Sequence, residues 1–328
     1  MSRTPTSGWR RALASIPFLV IIGLALVWWQ RQYLYDQVRL YGYKPDAAVV
    51  QLADDSAMSD YARRIYYVNH PLRAPKASFV SYCSNAAEQT VVLGCYKSGQ
   101  RGIYLLQVTN AELAGIQQVT AAHEMLHAAY DRLSDKDRTR IDGLLQDYYQ
   151  NQLSDDTIKK TVDAYKKTEP DDLKNEMHSI FATQVATLPT ELSDYYKKYF
   201  TDRSKVTGFY ATYEQAFTSR QQQIKQYDEQ LNTQKFEIDN LQSSVEQQQS
   251  DLKAKRDVLN SSRASNNVAA YNTGVDDFNA TVRTYNANVA RLKTLISDYN
   301  ELIEKRNSIA FEERQLVQSL SSPSAITE

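Results

Sequence analysis

Thr120-Ala121-Ala122-His123-Glu124-Met125-Leu126-His127-Ala128-Ala129-Tyr130 is the stretch around which the rest of the chain is read. Alanine, leucine and methionine dominate it, and all three favour a helix. On a helix, residues i and i+4 share a face, so His123 and His127 can each direct one imidazole nitrogen at a single metal ion. Glu124 stands one position round. From there it can take the proton of a water activated by the metal rather than bind the metal itself. The chain has only two other histidines, His70 and His178, so this spacing around a glutamate is a specific signal. The competing reading is a helix with two hydrogen-bonded histidines and no metal.

An HExxH helix points to Zn2+ and to peptide-bond hydrolysis with Glu124 as general base. Catalytic zinc needs three protein ligands and an open position. In the metzincin spacing the glycine would fall at Tyr130 and the last histidine at Leu133, which excludes that variant. Further on lies Lys174-Asn175-Glu176-Met177-His178-Ser179. Its Asn175-Glu176-x-x-Ser179 resembles the NExxS segment of thermolysin-like gluzincins. That resemblance implies a zincin-like domain, with Glu176 as third zinc ligand and Asn175 and Ser179 as hydrogen bonders behind it. It also implies an edge strand above the metal that receives an extended peptide, here the strand expected from Ile103 to Val108.

The resemblance covers the two motifs and their order, not the chain. Ile180 stands where an aspartate usually orients a zinc-bound histidine, and 48 residues separate His127 from Glu176. The rival for third ligand or oxyanion donor is His178, two residues on and so on the opposite side of a helix. Tyr130, Tyr195 and Tyr196 are further oxyanion candidates among 23 tyrosines. The bland reading of Glu176 is a solvated surface glutamate.

Outward from the motif, the pattern predicts strands over 77–83, 90–96 and 102–108. The first two read as a hairpin tied by Cys83 and Cys95. Helices are predicted from Asn110 to Arg132 with a flaw at Gly115, from Ser134 to about Tyr149, from Ser154 to about Lys167, and from Pro170 to Leu188. Pro45-Asp46 opens a short helix through Ala53, whereas 63–68 is ambiguous.

Ala12 to Trp29 holds no charged residue and would span about 27 Å as a helix. Trp9, Trp28 and Trp29, all the tryptophans present, lie at its edges. No small-x-small cleavage site follows, so the expectation is an uncleaved transmembrane signal anchor over 12–29 rather than a cleaved signal. Arg3, Arg10 and Arg11 precede the run, which puts residues 1–11 in the cytoplasm and the remainder outside the cell membrane, single-pass. Cys83 and Cys95, the only cysteines, suit a disulfide in such an exported domain; two free thiols are the alternative.

Beyond residue 205 the character changes. Phe217, Ile224, Leu231, Ile238, Val245, Leu252 and Leu259 recur every seven residues, and Val275, Val282, Val289, Ile296 and Ile303 continue in a second register. This is a coiled-coil pattern. Two similar arms about the polar stretch 260–267 favour an antiparallel hairpin over one long helix that dimerises.

The expected fold class is therefore mainly α with a small β-sheet: an α+β zincin-like domain over 30–204, a helical coiled-coil hairpin over 205–320, a tail over 321–328 and an N-terminal transmembrane helix. The expected partners are a protein or peptide substrate at the cell surface, the membrane through 12–29, and a protein or second copy through the coiled coil. A net charge of −1 with no basic stripe gives no reason to expect nucleic acid. The alternative function is a structural or adhesive envelope protein whose metal site is a non-catalytic scaffold; the presence of Glu124 favours the enzyme.

Overall fold

The computed structural model describes residues 21–83 and 92–320. The described chain is mainly helical with one small mixed sheet. It divides into two compact units, 1–213 with 319–328, and 214–318.

The first unit is built around α5, Ile116–Tyr130, the helix that carries the HExxH motif. Ala121, Ala122, Met125, Leu126, Ala128 and Ala129 on it are buried. Four alanines let neighbouring backbones approach closely, so α5 is enclosed almost all round. Its main neighbour is α8, Leu173–Gln184, which buries Met177, Ile180, Phe181 and Ala182. Between them in the chain come α6, Asp135–Asp147, and α7, Asp156–Thr168. Ahead of them lie α1, Arg31–Leu40, α2, Ala47–Asp55, α3, Asp60–Val68, and α4, Lys76–Cys83. A short α9, Thr190–Tyr196, follows α8. Side-chain caps start four of these helices where the polar residues fall: Asp46, Ser59, Ser134 and Asp155 each accept from a first-turn amide.

The sheet has the order β1-β3-β2, with β1 Leu72–Ala74, β2 Gly94–Lys97 and β3 Gly102–Leu106. β1 runs parallel to β3, and β2 pairs antiparallel with β3 in the register Gly94–Leu105 to Lys97–Gly102. β3 is thus the central strand. The expectation that it forms the edge is corrected, and β2 takes that place.

The expected strand over 77–83 is also corrected: this segment is the helix α4. The carbonyl of Pro75 accepts from the Ser78 and Phe79 amides and starts the first turn. Packing of Phe79 and Cys83 with Ala74 and Leu106 then decides the conformation over a weak strand propensity. The two cysteines nevertheless form the Cys83–Cys95 disulfide, tying α4 to β2. At Gly115 the predicted flaw is a full break. A 3-10 turn, Ala111–Leu113, capped by Asn110, ends there, and Gly115 adopts φ +95°. A Cβ at this position would sit 2.9 Å from Phe209.

The transmembrane helix expected over 12–29, and with it the single-pass placement with a cytoplasmic N-terminus and extracytoplasmic domain, is corrected. Among the described residues no helix is long and apolar enough to cross a membrane. Residues 12–20 lie outside the described residues, as do the tails 1–11 and 321–328. The described remainder is helical over 21–29. A turn at Gln30 then leads into α1, which carries Arg31, Asp36 and Arg39.

Two long helices supply the second unit: α10, Arg203–Ala264, from residue 214 on, and α11, Val268–Leu320, up to residue 318, joined by a turn in which Asn266 has φ +53°. Gln221 donates to Glu313, Arg306 pairs with Asp228 at 3.0 Å, Asn288 donates to Gln248 and Lys255 pairs with Asp277 at 2.7 Å. Partner numbers fall on one arm as they rise on the other, so the arms are antiparallel within one chain.

Candidate metal centre

α5 and α8 together bring His123, His127 and Glu176 to one point. Glu176 Oε2 lies 3.5 Å from His123 Nε2, and Glu176 Oε1 lies 3.4 Å from His127 Nε2. One donor atom from each residue falls within 4.8 Å of the others, a group that could hold a metal ion. The helix register on each side explains this. His123 and His127 are one turn apart on α5, and Glu176 sits in the first turn of α8, where it faces them. All three side chains are largely buried, at 15%, 9% and 6% exposure. Glu176 Oε2 is buried and makes no hydrogen bond, as befits a ligand oxygen. Behind the site, Ser179 Oγ lies 3.4 Å from His127 Nδ1, which leaves Nε2 to face the centre.

Electrostatics matches the geometry. Burial pushes the His127 imidazolium down, but the charges of Glu176 and Glu124 outweigh it and hold its pKa at about 9. Burial keeps His123 below its ordinary value despite Glu176. Glu176 itself, although burial would raise it, is held low by the two histidines. Without metal, His127 therefore carries the proton that a metal ion must displace. The expected consequence is that apparent zinc affinity rises about tenfold per pH unit from neutrality to about pH 9 and flattens above. Competition titrations against a chelator at several pH values check this; an affinity flat from pH 7 to 9 would contradict it.

The centre opens into a cleft of about 370 Å³. One wall is the edge strand β2 with Ser98, and the Cys83–Cys95 disulfide lies on the same wall. The other is the start of α8 with Glu169 and Asp172. Burial, with the neighbouring Glu176 charge, raises both of those carboxyl pKa values. Glu124 lines the cleft between the walls and is itself buried.

Several expected contributors lie elsewhere. His178 is fully buried on the opposite side of α8, with its Nε2 2.9 Å from the Tyr195 hydroxyl. Burial and the neighbouring histidine charges push it down to about 3, so it is neutral. Tyr196 donates to the His178 carbonyl, and Tyr130 donates to Asp142. None of these four lines the cleft. The tyrosine that does is Tyr96, whose hydroxyl donates to Asp131 at 2.8 Å. Its place on β2, fourteen residues beyond Tyr82 and with no motif around it, offered no sequence signal. Gly94 was missed for the same reason. The chain matches no protein-family profile, no curated protein and no solved structure.

Proposed function

We propose that the chain is a zinc-dependent peptidase of the gluzincin kind, acting on a protein or peptide substrate. The observation that carries this reading is the meeting of both HExxH histidines with Glu176 across two helices. Two nitrogens and one carboxylate oxygen are a donor set suited to zinc with a position left open. Zinc held there would supply Lewis acidity and a water whose pKa lies near 7.

The chain's own residues do the rest. Glu124, next to His123 and in the cleft, accepts the proton of the attacking water at its carboxylate and returns it to the departing amine nitrogen. Among the described residues β2 is an outer strand of its sheet, so that edge can take an extended peptide by main-chain hydrogen bonds and lay it along the cleft wall. Ser179 holds His127 in the tautomer that turns Nε2 inward.

Elemental analysis of the purified full chain tests this, alongside His127→Ala and Glu176→Ala. The expected result is about one zinc per chain in the parent, lost in the first variant and lost or much weakened in the second. A parent that takes up no zinc, even after refolding with metal, would overturn the reading and favour a coiled-coil scaffold. Full zinc retention in Glu176→Ala would overturn the assigned ligand set.

A further inference from the structure

We infer that Asp131 is a positioning residue for the substrate edge, its carboxylate holding β2 in place beside the metal centre; the inference rests on the peptidase reading. The register of the sheet decides which groups of β2 a peptide would meet. The Leu106 amide donates to the Leu93 carbonyl at 2.8 Å, and Gly94 stands opposite Leu105, Cys95 opposite Tyr104 and Tyr96 opposite Ile103. In an antiparallel ladder, hydrogen-bonded pairs alternate with non-bonded ones. Leu93 and Cys95 therefore turn their backbone groups to β3. The Ile103 amide agrees, donating away from β2 to the Asn69 carbonyl at 3.1 Å. Gly94 and Tyr96 are left with N–H and C=O facing the other side, where no further strand stands among the described residues. Both residues line the cleft.

Tyr96 is held by Asp131. The Tyr96 hydroxyl donates to Asp131 Oδ2 at 2.8 Å, and the Gly99 amide donates to the same oxygen at 3.3 Å. Bonds to a carboxylate are charge-assisted and so stronger than neutral ones. The Tyr96 hydroxyl in turn accepts from the Gln100 amide at 3.0 Å. Gly99 and Gln100 both take the left-handed conformation, at φ +73° and +61°, which is uncommon for a glutamine. Asp131 is also tied to the metal side. It follows α5 directly, and its amide donates to the carbonyl of the metal ligand His127 at 3.1 Å. One residue thereby joins the backbone of a metal ligand to a side chain of the docking strand. Arg132 and Gln32 each donate to the Gln100 side-chain oxygen. Those bonds hold the turn rather than β2, so losing the Asp131 carboxylate loosens the edge while the turn stays anchored.

The test uses the zinc-loaded full chain with Asp131→Ala, Asp131→Asn and Tyr96→Phe. Three quantities are read: zinc content, kcat and KM on a peptide the parent cleaves, and backbone hydrogen exchange over 94–101. In Asp131→Ala, KM is expected to rise about tenfold with kcat within about threefold, because binding common to substrate and transition state is lost. Zinc content stays at the parent level, and exchange over 94–101 quickens. Tyr96→Phe keeps the Gly99 bond, so its KM should rise less, by about fourfold. Asp131→Asn keeps an acceptor oxygen and loses the charge, so its KM should stay within about twofold of the parent.

An unchanged KM in Asp131→Ala, a loss confined to kcat, or loss of zinc would each overturn the inference. So would Asp131→Asn as impaired as Asp131→Ala, since charge rather than the bond to Tyr96 would then be responsible. If Asp131→Ala folds poorly, Tyr96→Phe decides: a raised KM at parent zinc content supports the tie, and an unchanged one overturns it. If the parent cleaves no peptide, hydrogen exchange decides. Quickened exchange in Asp131→Ala with zinc retained supports the hold on β2 and leaves only the peptidase reading to fall. Unchanged exchange overturns the inference as well.

Discussion

Replacing Glu124 by glutamine should lower kcat by about three orders of magnitude while about one zinc per chain is retained. The amide keeps the size and most of the packing of this buried side chain, so the fold around it is not opened. What it loses is the capacity to accept a proton. The metal ligands are unchanged by the substitution, and one effect even favours binding. Glu124 is among the charges that hold the His127 proton, so the neutral amide eases its displacement by metal below pH 9. Loss of turnover with undiminished zinc separates a base from a ligand. Activity within about tenfold of the parent would remove Glu124 from the mechanism, and loss of zinc would make it part of the binding site.

The second large effect is expected far from the cleft, at Asp36→Ala. Asp36 is 3% exposed and accepts from both terminal guanidinium nitrogens of Arg132 at 3.0 Å, from Arg64 Nε at 3.2 Å and from Gln32 Nε2 at 2.8 Å. Arg132 follows α5 by two residues, and its side chain is 7% exposed. Removing the carboxylate strands a buried cation at the end of the helix that carries the centre. Breaking such a pair costs about 3–5 kcal/mol. Calorimetric unfolding of the full chain should show it as a lowered transition for the first unit. A loss below about 1 kcal/mol would show that water or a rotated side chain replaces Asp36. Asp36→Leu with Arg132→Met should recover part of the stability, since the buried Arg132 charge goes with its partner and only the half-buried Arg64 loses one.

The two largest misreadings in the sequence share a cause. The run from Ala77 to Cys83 holds phenylalanine, valine and tyrosine, and its propensity points to a strand. Its conformation is set instead by a proline-started turn and by contacts with Ala74 and Leu106, which come from elsewhere in the chain. The apolar run over 12–29 was read by length and composition, yet among the described residues no helix is long and apolar enough to cross a membrane. Both readings relied on local composition, which over 77–83 is overruled by distant partners.

The residues of the centre were legible because helical periodicity alone puts His123 and His127 on one face. Heptad spacing likewise disclosed two helical arms without reference to anything outside them. Glu176 was reachable only through a resemblance, since nothing local distinguishes it from other helix glutamates. Which sheet strand flanks the cleft could not be read. β2 is the edge only because β1, twenty residues earlier, pairs with the other side of β3. The same holds for Gly94, Tyr96 and the burial of His178. By itself the sequence determined what repeats along a helix, because that order is carried by neighbours in the chain. The tertiary structure alone decided which groups meet across elements, because those distances depend on how α5, α8 and β2 pack.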